Sequence, residues 1–169
     1  MKPAIVSAYL AFGSNLGDPA TLLRAGRDAL GALPGVEVTA WSNLYRSSAV
    51  GGPTGQPDYL NAVVALRTAL PARALLDHGL AIEAACGRVR TEVWGPRTLD
   101  IDLLLYGDAV IDEPSLIVPH PLLAERRFVL APLAELAPDL LLPVHGKTAR
   151  QLLAALTAAP PVFRLSQAW

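Results

Sequence analysis

A single cysteine, Cys86, stands among the 169 residues, so no disulfide can form within the chain. That suits a reducing compartment. Charge is scarce too: charged residues make up 17% and the formal net charge is -1. A chain so close to neutral has no overall field to draw it onto nucleic acid or an anionic membrane, and any anion it binds must be held by a local cluster. No apolar run is clean enough to span a bilayer. The richest, FVLAPLAELAPDLLLPV, contains three prolines, Glu135 and Asp139. The N-terminal MKPAIVSAYLAFGSN lacks a small-residue cleavage site and is interrupted by Pro3, so a first strand is expected there rather than a signal peptide. These absences predict a soluble, cytoplasmic protein with no nucleic-acid or membrane partner. The usual glycine cradles for nucleotides are also missing. HGKT at 145–148 resembles the end of a P-loop, but Leu141 stands where that pattern needs glycine, and GSNLG at 13–17 is not GxGxxG.

What the chain has is apolar bulk. Hydrophobic residues make up 52%, enough for a core, and fifteen prolines and thirteen glycines indicate many turns. The length predicts one domain over 1–169. AIVSAYLAF, 4–12, has the pattern of a buried strand. Asp18 is placed to cap a helix with Pro19 at its first position and a stripe of Leu22, Leu23, Gly26, Ala29, Leu30 and Leu33. Strands are expected over 36–46 and 58–66. In the second of these, Tyr59, Asn61 and Val63 share one face, and Leu60, Ala62 and Val64 the other. Pro71 opens a second helix, with Leu75, Leu76, Ile82 and Ala85 inward and a stop at Gly87. A polar loop, GRVRTEVWGPR, leads to a fourth strand, TLDIDLLLY. A hairpin at AVIDEPSLIV, short helical pieces in HPLLAERRFVLAPLAEL, a helix boxed by Thr148 and Gln151, and an edge strand at VFRLS complete the order. The fold class predicted is α+β: a ferredoxin-like βαββαβ antiparallel sheet with helices packed on it and additional C-terminal elements.

The fourth strand carries the chemistry. Asp100 and Asp102 are separated by one residue, about 6.5–7 Å along a strand, so both carboxylates face the same way and can reach one small cation. Leu99, Ile101, Leu103 and Leu105 are expected on the opposite face. Left unpaired, two half-buried carboxylates repel each other and lose hydration, so positive charge must sit beside them. Two sources fit. Arg88, Arg90 and Arg97 lie nearby, and a structural Asp–Arg network is common. Alternatively, Mg2+ takes one or two carboxylates and fills its octahedron with water and phosphate oxygens, leaving the arginines to hold phosphates. Asn61, with two amide donors and an acceptor, can match the edge of a flat heterocycle. Nothing suggests a nucleophilic triad, and Cys86 lies on an expected helix.

GPRTLDIDLLLYG closely resembles the signature of the 6-hydroxymethyl-7,8-dihydropterin pyrophosphokinases. So do AFGSNLGD, QPDYLNAVVAL and PHPLLAERRFVLAPLAEL, in the family's order and at about its spacing. The resemblance implies transfer of the β,γ-pyrophosphoryl group of ATP to the hydroxymethyl oxygen of 6-hydroxymethyl-7,8-dihydropterin, with AMP released, as a step of folate biosynthesis. It implies two Mg2+ ions held by Asp100 and Asp102. Arg88, Arg90 and Arg97 would belong to a catalytic loop, with Arg90 and Arg97 on the polyphosphate. Glu83, Trp94, His120 and Arg126 would lie on the nucleotide side. Tyr59 and Phe128 would sandwich the pterin, Asn61 would read its edge, and Ser47 and Val50 would border it from their loop. A monomer is expected. Two competing functions remain at this stage: a magnesium-dependent phosphohydrolase, and a non-catalytic ligand-binding module.

Overall fold

The computed structural model describes residues 2–89, 94–157 and 160–169. Among them lie strands β1 (Val6–Ser14), β2 (Val36–Trp41), β3 (Tyr45–Ser47), β4 (Tyr59–Thr68), β5 (Asp100–Tyr106), β6 (Ile111–Glu113), β7 (Leu116–Val118) and β8 (Val162–Arg164). The α-helices are α1 (Pro19–Gly31), α2 (Ala72–Ala85), α3 (Arg127–Leu136) and α4 (Ala149–Ala155), with a single 3-10 turn at Leu123–Glu125. The main sheet is antiparallel and runs β5-β1-β4-β3-β8, with β2 also paired to β4; β6 and β7 form a separate hairpin. The architecture is α+β. No helix among the described residues is long and apolar enough to cross a membrane.

Strand alternation divides the interior into two cores. Ala8, Leu10 and Phe12 of β1, with Ala62, Val64 and Leu66 of β4, face α1 and α2. Val63 of β4 and Leu104 of β5 face α3 and α4. Each fully buried leucine contributes about 1.5–3 kcal/mol relative to exposure. The helix signals act as expected. The Asp18 carboxylate accepts from the Thr21 N–H and hydroxyl, and Thr148 with Gln151 forms a complete capping box. Of the expected α1 stripe, Leu23, Gly26 and Leu30 are buried, Leu22 and Leu33 are half-buried and Ala29 is exposed. Gly26 permits a close approach: a methyl there would come 2.9 Å from the Leu99 side chain and 3.1 Å from Phe12. On α2, Leu75 and Ile82 point inward, but Ala85 is exposed.

Three expectations need correction. The strand expected over 36–46 breaks between Trp41 and Tyr45, where it carries one residue more than β4 opposite it. One backbone bond persists at the break, Ser42 N–H to Val63 O at 2.9 Å, and side chains add to it: Val63 N–H donates to Ser42 Oγ at 3.0 Å, and Asn43 N–H donates to the Glu135 carboxylate of α3 at 2.7 Å. Leu105 does not share a face with Leu99, Ile101 and Leu103. Tyr9 pairs Leu105 while the next residue, Leu10, pairs Leu103, so Leu104 bulges and Leu105 turns into the other core. The region after His120 holds a continuous ten-residue helix, α3, with Pro132 inside it, rather than short pieces alone.

Candidate active site

The C-terminal end of β4 lies far from the site; its start, with Tyr59 and Asn61, lies beside the start of β5, with Asp100 and Asp102, because both strands flank Gly13 of β1. Period-two alternation aims all four side chains at the face that carries α3. There they meet Arg126 and Phe128 at the N-terminus of α3, and Ser47, Ser48 and Val50 at the end of β3. The result is an open cleft of about 700 Å³, solvent included, which Trp94 and Arg97 also line. Ten of the residues expected at a site thus line one cleft: Ser47, Val50, Tyr59, Asn61, Trp94, Arg97, Asp100, Asp102, Arg126 and Phe128. Arg90 lies outside the described residues.

Of the two sources of positive charge expected beside the aspartate pair, the arginines are present at Asp100. Asp100 sits in an arginine network: Arg88 Nη1 is 2.6 Å from Oδ1 and Arg97 Nη1 is 2.8 Å from Oδ2. Asp102 forms no arginine ion pair among the described residues; His120 Nε2 is 4.0 Å from its Oδ2. Burial, then the like charges of Asp100 and Glu83, push the Asp102 carboxyl up to about 7, against weaker opposing pulls from Arg126 and Arg97. A hard carboxylate short of positive charge, beside a second one, is a fitting donor set for Mg2+ completed by phosphate oxygens. Among the described residues no group of three or more His, Cys, Asp or Glu could hold a metal alone.

The raised Asp102 value has a sign that can be tested. Between 3.8 and about 7 the folded state keeps a proton that the unfolded chain has released, so this group erodes metal-free stability as pH rises through that window. Melting wild type and Asp102→Asn in EDTA from pH 5 to pH 8 checks this. The Tm advantage of the variant should grow with pH and level off above about pH 8, whereas a constant difference would contradict it.

Two expected nucleotide-side or loop residues are placed differently. Glu83 is 3% exposed; its Oε1 accepts from Ile101 N–H at 2.7 Å and from Arg88 Nη1 at 2.8 Å. The Arg88 side chain is 7% exposed and held between Glu83 and Asp100. His120 follows the cis Val118–Pro119 bond. Its Nδ1 accepts from Leu122 N–H at 3.2 Å, which leaves Nε2 as the donor toward Asp102; burial, then Arg126, hold its pKa below the ordinary value.

At the other end of the cleft, Asn61 is narrower in its offer than its amide suggests. Both Nδ2 hydrogens are engaged, by Tyr45 O at 3.1 Å and Ser47 Oγ at 2.8 Å, so Oδ1 alone faces a ligand as an acceptor. Tyr59 OH donates to Gly95 O at 3.3 Å, and the Arg126 guanidinium lies 5.6 Å from the Phe128 ring centroid. Gly51 and Gly52, both near φ +72°, run directly under Trp94, where a side chain on either would collide with the Trp94 ring or carbonyl. Gly52→Ala should displace Trp94 from the mouth of the cleft, with a Tm within a few degrees of wild type; the fluorescence emission of Trp94 reads the first and a thermal melt the second.

Asn15 and Gln56 were not anticipated at the site. The GSNLG turn and the residue before PDYLN carried the only local signal.

A model of the family described as 7,8-dihydro-6-hydroxymethylpterin-pyrophosphokinase (HPPK) matches residues 9–138. Proteins named 2-amino-4-hydroxy-6-hydroxymethyldihydropteridine pyrophosphokinase are similar along most of their length. That of Methylorubrum extorquens is 48% identical over 149 residues, covering 88% of this chain and 92% of the relative. That of Synechocystis is 46% identical over 157 residues, covering 92% and 80%. That of Pseudomonas aeruginosa is 49% identical over 151 residues, covering 89% and 92%. Among solved structures, an HPPK-DHPS in complex with substrates superposes with a TM-score of 0.71 at 13% identity, covering 90% of this chain and 43% of that one. Plasmodium falciparum HPPK-DHPS with pterin and p-hydroxybenzoate gives 0.71 at 14%, covering 91% and 42%. This chain spans less than half of those two proteins, and at such identity the likeness is one of fold.

Proposed function

The chain belongs to the 7,8-dihydro-6-hydroxymethylpterin-pyrophosphokinase family and transfers a pyrophosphoryl group from ATP to hydroxymethyldihydropterin in folate biosynthesis; from that premise we propose how its residues divide the work. The family uses ATP, generally with Mg2+. The observation that carries the division is the cleft itself, with Asp100 and Asp102 at one end and Tyr59, Asn61 and Phe128 at the other.

The pterin ring lies between Tyr59 and Phe128. Asn61 Oδ1 accepts from a ring N–H, and Ser47 and Val50 border the edge. At the phosphate end, Asp100 and Asp102 would hold the Mg2+, two ions on this reading. When bound, Mg2+ supplies neutralisation of charge on the phosphate oxygens. Arg97 and Arg126 meet the polyphosphate, His120 Nε2–H donates toward it, and Arg90 keeps the polyphosphate contact that its motif implies. Trp94 covers the junction of the two substrates. Glu83 and Arg88 work from behind, fixing Asp100 on its strand.

The hydroxymethyl oxygen bonds to the β-phosphorus, the bond from the α-phosphate to that phosphorus breaks, and AMP leaves; the hydroxyl proton passes to solvent. No side chain forms a covalent intermediate. The residues hold oxygen and phosphorus in line, an arrangement that supplies about 7–11 kcal/mol of a barrier when orientation is good. The fixed cations then stabilise charge as it shifts to the leaving group.

The strand order β5-β1-β4-β3, with α1 and α2 together on one face, supports a ferredoxin-like scaffold. The return of β8 and Trp169 onto the main sheet supports one pyrophosphokinase domain over 1–169. The described lining of the cleft comes from one chain, which supports a monomer, and its substrates and lone thiol suit the cytoplasm.

The test is a mixture of ATP, Mg2+ and 6-hydroxymethyl-7,8-dihydropterin with the nucleotide products separated. AMP should form in step with pterin consumption and only when pterin is present. Release of phosphate or pyrophosphate independent of pterin would make the chain a phosphohydrolase instead.

A further inference from the structure

Glu135, in the last turn of α3, does not line the cleft, and its place is locally unfavourable: a carboxylate there faces the negative end of the helix dipole. Donors from elsewhere in the chain hold it. Oε1 accepts from Asn43 Nδ2 at 2.9 Å and from the Tyr45 hydroxyl at 3.1 Å, and pairs with Arg164 Nε at 2.9 Å; Oε2 accepts from Asn43 N–H at 2.7 Å. Burial, then the Glu135 charge, push the Tyr45 hydroxyl up to about 12, so it stays a donor at any working pH. The carboxylate thus grips the chain where β2 and β3 carry one residue more than β4. The strand β3 is short. It pairs Tyr45, Arg46 and Ser47 with Asn61, Leu60 and Tyr59, and a slip of one residue would turn Tyr45 and Ser47 onto the other face. That register fixes the Asn61 amide. Tyr45 O can only accept, so at 3.1 Å it selects the Nδ2 end; Ser47 Oγ, able to donate or accept, would tolerate either end.

We propose that Glu135 is a positioning residue for pterin recognition: by holding Asn43 and Tyr45 it sets the register of β3, and through Tyr45 O it sets which end of the Asn61 amide meets the ring. This rests on the pyrophosphokinase function above. Phe128 precedes Glu135 on α3 by about two helical turns, so one helix supplies a wall of the ring slot and anchors the strand that orients its acceptor. Without the carboxylate, Asn43 N–H and the Tyr45 hydroxyl lose their acceptor, and the backbone at Tyr45 is no longer held against Asn61. The amide can then turn its NH2 to the cleft, where a ring N–H meets a donor instead of Oδ1. The loss falls on the pterin alone.

The variants are Glu135→Gln and Glu135→Ala. In Glu135→Gln the amide oxygen best serves the donors now on Oε1, and its NH2 is turned against Asn43 N–H, so the variant keeps the volume and cuts the bond to the break. Steady-state kinetics on the full chain with ATP, Mg2+ and 6-hydroxymethyl-7,8-dihydropterin should show the pterin KM raised on the order of tenfold in both, with kcat and the ATP KM within about twofold of wild type. A pterin KM that stays within about twofold of wild type, or an equal rise in both KM values, overturns the proposal. Heteronuclear NMR of the ligand-free protein tests the positioning separately from the assigned reaction, with the Asn61 side-chain signals identified by their loss in Asn61→Ala. The two Nδ2 hydrogens should exchange slowly with solvent in wild type and at least about tenfold faster in both variants; unchanged exchange in Glu135→Gln overturns the proposal. Should that NMR contrast appear while wild type makes no pyrophosphorylated pterin, the assigned reaction would fail and the positioning of Asn61 by Glu135 would stand.

Discussion

Asp102→Ala should lose pyrophosphoryl transfer, with kcat/KM falling on the order of 1,000-fold or more, in a protein that remains folded. Asp100 is already balanced by two arginines, whereas Asp102 faces the cleft without one among the described residues. Of this pair of carboxylates Asp102 is the under-compensated one among the described residues, and on the reading proposed above it is the one that would meet the cation accompanying the triphosphate. The same feature gives the variant a second, opposite effect. The Asp102 carboxyl, pushed up to about 7 by burial and by Asp100 and Glu83, is a burden on the metal-free fold, so its removal should raise Tm in EDTA. AMP formation at saturating ATP, Mg2+ and pterin reads the first effect and a thermal melt reads the second. A variant that kept a tenth of the wild-type rate would remove Asp102 from the phosphate end.

Arg88→Met should do the reverse to stability. The guanidinium is buried between Glu83 and Asp100, with distances of 2.8 and 2.6 Å. Taking the cation from such a site removes a close counter-charge from both Glu83 and Asp100, of which Asp100 keeps Arg97, in a place where water cannot replace it, a loss of about 3–5 kcal/mol. For a chain of this size that corresponds to a Tm lower by roughly 10 °C. Arg88→Met with Glu83→Gln should recover part of the loss, because one of the two carboxylates that the guanidinium had balanced loses its charge as well. Urea melts of the single and double variants measure both. A single variant within 2 °C of wild type would return Arg88 to the moving loop that its GRVR motif suggests.

The features legible in the sequence were those set by near neighbours. Alternation put Asp100 and Asp102 on one face, and Tyr59 with Asn61 on the matching face of another strand. Local hydrogen bonding fixed the caps at Asp18 and Thr148. What escaped depends on partners far along the chain. The Leu104 bulge, which turns Leu105 into the second core, is visible only against β1. The break before Tyr45 is held by Glu135, 92 residues from Asn43. Glu83 has the composition of an exposed helical position and is buried because β5 lays the Ile101 N–H over it. Asn61 carries two donors on paper, but its neighbours consume them.

The three tryptophans occupy three different surroundings. Trp169 is 7% exposed, lies 6.4 Å from the Phe12 ring and donates its indole N–H to Ser42 O at 2.7 Å. Trp41 is half in water beneath the Arg27 guanidinium, and Trp94 stands at the mouth of the cleft. Intrinsic fluorescence therefore carries separable signals: a blue-shifted emitter that reports global denaturation, and a solvent-facing one that reports occupancy of the cleft. Both can be followed in the unlabelled enzyme, with the Trp94→Phe spectrum subtracted to isolate the second.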